Sequence, residues 1–190
     1  GTAMQSRLIW LELESNLEEW LAYARKAKFD HRVTSFAEAR SLVNNFDPNH
    51  SDKTFLCERT MDFLSRLLKI WGADVPEEKL PLVTGSIGEG AGREFFAYLQ
   101  VFSKLISFAD ILANPKGAKI PDEPDHQYAL SGLIGDQISK TNCKDVMKYV
   151  LRMDIQFQVL ALRTAVGRDD SLMAQPEIVN WLKYNAKELM

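Results

Sequence analysis

Cysteine is scarce in this chain. Only Cys57 and Cys143 occur among 190 residues, far apart and without Cys-x-x-Cys or Cys/His spacing. Two free thiols in a reducing compartment follow from that pattern, rather than a disulfide framework or a zinc site. Long apolar runs are missing too. None approaches the roughly 20 residues needed to span a bilayer, and no charged-then-apolar leader precedes the first helix. Both absences set the expectation of a cytoplasmic protein with no membrane partner. Positive charge is not in excess either: the formal net charge is −3, so no broad field draws nucleic acid, which is an unlikely partner on this ground. The short cluster Arg25-Lys26-Ala27-Lys28 closes a predicted helix, where cations meet the negative end of the dipole.

Catalytic constellations are also wanting. There is no Gly-x-x-x-x-Gly-Lys-Ser/Thr and no apolar strand ending in paired acids, so ATP hydrolysis has neither its phosphate cradle nor its magnesium ligands. The glycine-rich stretch Gly85-Ser86-Ile87-Gly88-Glu89-Gly90-Ala91-Gly92 lacks the lysine and holds an acid. It reads as a turn that permits close helix approach. Asp47, His50 and Asp52 fit neither calcium-loop nor zinc spacing and read as a solvated turn. His31, His50 and His126 stand in no motif with a serine or cysteine. Glu18-Glu19 and Glu77-Glu78 are first-turn acids suited to the helix dipole. The chain is therefore expected to hold no catalytic residue, metal or cofactor of its own.

What is present is helical periodicity. Hydrophobic residues make up 46% and charged residues 26%, the balance of a folded globular protein. Leu8 to Leu13 is the one strand-like run. Ser15 followed by Glu18 reads as a capping box before the stripe Leu17, Trp20, Leu21 and Ala24. Ser35 followed by Glu38 reads as a second box, before Phe36, Ala39, Leu42 and Val43. A polar loop spans 44–52. Met61, Leu64, Leu67, Leu68 and Trp71 share one side of a third helix, which Gly72 stops. A short helix over 77–84 and a glycine-rich turn precede an apolar helix over 94–105, where Phe95, Phe96, Tyr98 and Phe102 pack as core. After a loop at 114–124, four helices are predicted over 127–139, 143–152, 155–166 and 176–189. Asp125 and Asn142 are capping candidates, and Pro176 a first-turn proline. The expected fold is mainly α, a compact multi-helix bundle with one short N-terminal strand-like segment.

The order of segments resembles the C-terminal part of a MoxR-like AAA+ ATPase. The matching stretches are Ser6-Arg7-Leu8-Ile9-Trp10-Leu11-Glu12-Leu13-Glu14 and Leu17-Glu18-Glu19-Trp20-Leu21-Ala22-Tyr23-Ala24. Asn45-Phe46-Asp47-Pro48 and Phe55-Leu56-Cys57-Glu58-Arg59-Thr60-Met61-Asp62-Phe63-Leu64-Ser65-Arg66 continue the pattern. Gly88-Glu89-Gly90-Ala91-Gly92-Arg93-Glu94-Phe95 and Ile111-Leu112-Ala113-Asn114-Pro115 complete it. The resemblance implies that residues 1–14 hold a cloning remnant (Gly1-Thr2-Ala3) and the last strand of an AAA+ core. Residues 15–87 would form the helical lid, and residues 88–190 a helical C-terminal extension packed on it. It implies two functional arginines. Arg59 lies where the family's lid presents its sensor-2 arginine to a nucleotide phosphate, with Glu58 where proline is usual. Arg7 matches the arginine that reaches a neighbouring subunit's nucleotide as a finger. The implied function is a non-catalytic lid that couples nucleotide state to subunit or client contacts. ATP and magnesium would belong to a P-loop AAA+ core, and the implied partners are that core, neighbouring subunits and a client protein. The residues alone also fit an autonomous helical interaction or adaptor domain with no nucleotide role.

Overall fold

A computed structural model describes residues 7–9, 11, 14–49 and 53–185. The described residues form ten α-helices and two short 3-10 segments. No strand occurs among them, which corrects the expected strand at 8–13. Leu8, Ile9 and Leu11 are exposed with no partner strand to satisfy their peptide groups; Trp10, Glu12 and Leu13 lie outside the described residues.

Helix α1 spans Leu17–Lys26 and α2 spans His31–Arg40. The N-cap of α1 is Asn16, whose Oδ1 accepts the Glu19 N–H at 3.1 Å. The neighbouring Ser15 hydroxyl donates instead to Glu58, so the expected Ser15/Glu18 box does not form. Helix α2 starts five residues earlier than its predicted box: Asp30 is the N-cap and accepts the Arg32 N–H at 3.0 Å. Ser35 is buried within the helix, its hydroxyl turned back to the His31 carbonyl at 2.7 Å. A Ser–Glu pair three residues apart occurs inside helices as well as at their starts, and here the earlier Asp30 takes the cap.

Helix α3 spans Glu58–Trp71. Its first turn is tied by Thr60, whose Oγ1 accepts the Cys57 N–H at 2.8 Å. Met61, Leu64 and Leu68 are fully buried along one stripe, and Gly72 ends the helix at φ 81°. After the 3-10 turn Glu77–Lys79 come α4, Leu80–Ile87, and α5, Glu89–Phe102. The glycine-rich stretch is thus helical on both sides of a break at Gly88, φ 92°. Two helices folded back this tightly need a residue without a side chain: a Cβ on Gly92 would lie 2.5 Å from Thr84 Cα.

The rest is α6 (Phe108–Ala113), α7 (Pro124–Gln137), α8 (Cys143–Val150), α9 (Ile155–Arg168), the 3-10 turn Asp170–Ala174, and α10 (Pro176–Asn185). Of the two candidate caps, only Asn142 takes the N-cap position. Glu123 precedes Pro124 at the start of α7, while Asp125 pairs with Arg40. Asn142 does precede α8, but its Oδ1 accepts the Ser139 N–H at 2.7 Å. No helix among the described residues is long and apolar enough to cross a membrane.

Two hydrophobic cores result. The first gathers Trp20, Phe36, Leu64, Ile87, Phe95 and Tyr98 with their neighbours. The second gathers Ile111, Leu130, Tyr149, Phe157, Leu162 and Trp181 with theirs. Helix α5 contributes to the first core, as does Ala129 of α7, and Ile111 of α6 to the second; α4 and α5 pack on each other on either side of Gly88. Helix α7 is the shared wall. A Cβ on Gly132 would lie 3.0 Å from the Ser35 Cβ of α2, and one on Gly135 would lie 2.5 Å from the Thr164 Cβ of α9. Arg40 adds a bridge, bonded to Asp125 at 2.9 and 3.2 Å and to Glu94 at 2.6 Å. Arg168 adds another, donating to the Phe29 carbonyl at 2.7 Å and pairing with Asp136.

Candidate functional site

Arg59 is the second residue of α3 and is exposed. Both acids that could neutralise it are engaged elsewhere. Glu58 accepts the Ser15 hydroxyl and the Asn44 amide, the latter at 3.4 Å, and Asp62 pairs with Arg66 one turn on. Arg59 is thus a guanidinium at a helix start with no ion-pair partner among the described residues, beside the positive end of the α3 dipole. Arg7 is exposed too and makes no hydrogen bond or ion pair with a described residue. No contact brings the two arginines together.

The other sequence candidates scatter. Asp47 lies in the exposed loop after α2, where its Oδ1 accepts the Asn49 N–H at 2.8 Å; His50 and Asp52 lie outside the described residues. His31 opens α2 against Phe102, ring centroids 5.3 Å apart. Burial holds its imidazole below the usual histidine pKa, and its Nδ1 has no hydrogen-bond partner. His126, in the first turn of α7, faces Glu123 at 3.9 Å. Phe95 and Tyr98 are buried, with Phe95 meeting Phe36 edge-on at 5.1 Å, so the aromatic stripe packs as core. No group of three potential metal-ligating residues occurs among the described residues.

Two buried charge pairs went unnoticed in the sequence. Arg32 grips Asp30 through Nε and Nη2, both at 2.8 Å, and donates to the Leu68 and Ala73 carbonyls at 3.2 and 3.1 Å. It thereby caps the C-terminus of α3 from α2. The fork geometry of guanidinium makes this possible, and the Arg32 bonds hold the Asp30 carboxyl below the ordinary carboxylate range against the opposing effect of burial. The second pair, Arg25–Glu38, joins α1 to α2 with side chains only 10% and 9% exposed. Burial pushes the Glu38 carboxyl up to about 7 despite Arg25 and Arg163 nearby. Burial also lowers the Arg25 pKa, opposed by Glu38 and reinforced by the like charge of Arg163. A signal was available for Arg25: with Leu17 and Leu21 it falls at i, i+4 and i+8, on the buried face of α1.

The Arg25–Glu38 pair lines a groove of about 650 Å³ between α1 and the α9–α10 end of the molecule. Its walls are mainly apolar, with Leu21, Leu160, Val166, Met173 and Leu182 prominent. A second groove, about 780 Å³, is more polar and includes His31, Arg32, Lys69, Phe102 and Asp136.

No protein-family model, curated protein or solved structure matches the chain.

Proposed function

We propose that this chain is the lid and helical C-terminal part of a MoxR-like AAA+ ATPase, non-catalytic by itself, which couples nucleotide state to subunit or client contacts in the cytoplasm. The observation that carries the reading is the presentation of Arg59. A permanently charged, forked donor stands at the start of α3 with Glu58 and Asp62 drawn away from it. That arrangement suits a terminal phosphate, because the helix dipole and the guanidinium act in the same direction. Sensor-2 contact through Arg59 would draw α3, and with it the first core, toward nucleotide held on a P-loop core. The firm links between the cores would carry that movement to the C-terminal helices as a rigid-body shift. In this reading residues 15–87 are the lid and 88–190 its extension. Arg7 then serves a neighbouring subunit, and ATP and magnesium bind to the P-loop core.

The test has two arms. The reading frame that encodes this segment is expected to carry a P-loop upstream of Arg7. ATP turnover by that whole ATPase is expected to fall about tenfold or more in Arg59→Ala, at unchanged oligomeric state, as removal of a phosphate-contacting arginine requires. The isolated chain is expected to hydrolyse no ATP above buffer. A reading frame without a P-loop, or turnover indifferent to Arg59, overturns the proposal. The apolar groove beside α1 favours a second reading, an autonomous interaction domain with no nucleotide role, and a frame lacking the P-loop would leave that reading standing.

A further inference from the structure

Four consecutive residues, 29–32, hold fastenings to both halves of the molecule. Arg168 of α9 donates to the Phe29 carbonyl and pairs with Asp136 of α7. Arg32 grips Asp30 and reaches on to the Leu68 and Ala73 carbonyls at the end of α3. The Asp30 N–H donates to the Ser65 hydroxyl at 2.8 Å. Between these fastenings stands His31, its ring against Phe102 of α5 at 5.3 Å. The groove of about 780 Å³ passes this segment and is lined by Asp30, His31, Arg32 and Asp136, with Lys69 and Asp74. Charge around the ring is already matched. Asp30 has its cation in Arg32, and Asp136 in Arg168. Lys69 and Asp74 are exposed and opposite in sign. An imidazolium carries a proton on both nitrogens, and the buried Nδ1 of His31 has no acceptor. A charged ring would leave that N–H unpaired inside the fold, beside two guanidinium groups. Burial, with Arg32 and Arg168, outweighs Asp30 and Asp136 and keeps the ring uncharged while the segment is closed.

We propose that His31 is an acid-sensitive latch at the junction of the two cores: uncharged, its ring keeps segment 29–32 closed against Phe102, and on taking up a proton it releases that segment toward the groove. The latch does not depend on the lid reading. In the open segment the ring regains its ordinary value of 6.5, so opening takes up one proton from solvent below that pH and none well above it. The sign follows from linkage. Closure is at full strength above pH 6.5 and weakens as pH falls below it, until the lower value of the closed ring is reached. The four residues open as a local unit, at less cost than unfolding the chain.

The test is amide hydrogen exchange of the whole chain, read by NMR from about pH 7 to pH 5 with the intrinsic exchange rates divided out. The reporters are the Asp30 N–H, bonded to the Ser65 hydroxyl, and the Arg32 N–H, bonded to Asp30 Oδ1. The amide of Ala161, fully buried within α9, is the reference. Protection of Asp30 and Arg32 is expected to fall about tenfold across that range, and to lie well below that of Ala161 throughout. His31→Gln, which takes up no proton, is expected to abolish the fall at Asp30 and Arg32. A second measurement needs no variant: the ring C–H signals of His31 in the unaltered chain are expected to titrate below 6.5. Titration of that ring at 6.5 or above, or protection that stays level over the range, overturns the proposal. So does the same fall in His31→Gln, or protection at Asp30 and Arg32 equal to that at Ala161, which would mean that the segment opens only with the whole fold.

Discussion

Gly135 and Thr164 stand so close across the α7–α9 contact that a Cβ at 135 would lie 2.5 Å from the Thr164 Cβ and 2.9 Å from the Ala161 carbonyl oxygen. Both obstacles belong to a packed helix, one of them to its backbone, so neither can swing away as a long side chain would. Gly135→Ala is therefore expected to destabilise the fold by about 1–3 kcal/mol, as overpacking does, measured by urea unfolding. Gly90 is the control of opposite sign. It is helical and exposed, and nothing lies within 4 Å of an added Cβ. Gly90→Ala is expected to stabilise by about 0.5–1 kcal/mol, the helix preference of alanine over glycine.

Arg32 and Asp30 form a buried pair whose loss leaves one charge uncompensated. Arg32→Ala is expected to cost about 3–5 kcal/mol, and it also frees the Leu68 and Ala73 carbonyls that Arg32 caps. Because the folded Asp30 carboxyl titrates below its ordinary 3.8, its contribution is fully present above that value and is lost as pH falls through the lower, folded value. The stability difference between the native chain and Asp30→Asn should stay level at neutral pH and shrink below pH 3.8. A difference that stays flat to the acid limit would contradict this assignment.

Glu38 runs the other way. Its folded value of about 7 lies above its ordinary 4.5, so the folded chain holds this proton more tightly than the unfolded chain. The associated stability is complete below 4.5 and is lost as pH rises through 7. Against Glu38→Gln, whatever the constant offset between the two, the native chain should lose about 3 kcal/mol of relative stability across that window. Taking the difference also removes the contribution of His31, whose lowered pKa acts in the opposite sense by penalising the acid side. Denaturant midpoints at a series of pH values decide the matter.

Cys143 is fully buried, and burial, with Glu177 nearby, pushes its thiol up to about 11. Cys57 is only half-buried, at the start of α3. Alkylation at about pH 8, where the thiolate is the reactive form, is expected to modify Cys57 in the folded chain. Cys143 should react only as the fold opens. Mass spectrometry of the modified peptides reads the two rates separately.

The helical class was legible because apolar spacing is a local signal. The stripe of Leu17, Trp20, Leu21 and Ala24, and that of Met61, Leu64 and Leu68, set the buried faces of α1 and α3 without any knowledge of the neighbours. Starts and stops were less legible. Asp30 and Ser35 are both credible caps by composition, and tertiary contacts decided between them: Ser35 faces Gly132 of α7, where only a helix interior fits. The glycine-rich stretch was legible in part: the close helix approach expected there is that of Gly92 to Thr84, but the turn is confined to Gly88, with helix on both sides. Buried charge was the least legible. Arg25 and Arg32 look like surface cations until Glu38 and the α3 carbonyls are brought against them from segments distant in the chain. For the exposed Arg59 and Arg7, residue type and position in the helix order supplied all that the sequence offered.

The shared wall of α7 has a consequence for how the chain comes apart. Gly132 and Gly135 sit one turn apart on the same helix, one seated in each core, and Arg40 and Arg168 fasten the seams on either side. Neither core can lose its packing without uncovering a face of α7 that the other still needs. Cutting the connection at 114–123 should therefore yield two fragments that remain associated, and melting should be a single cooperative event. A push on α1 would reach α9 without passing through any flexible hinge.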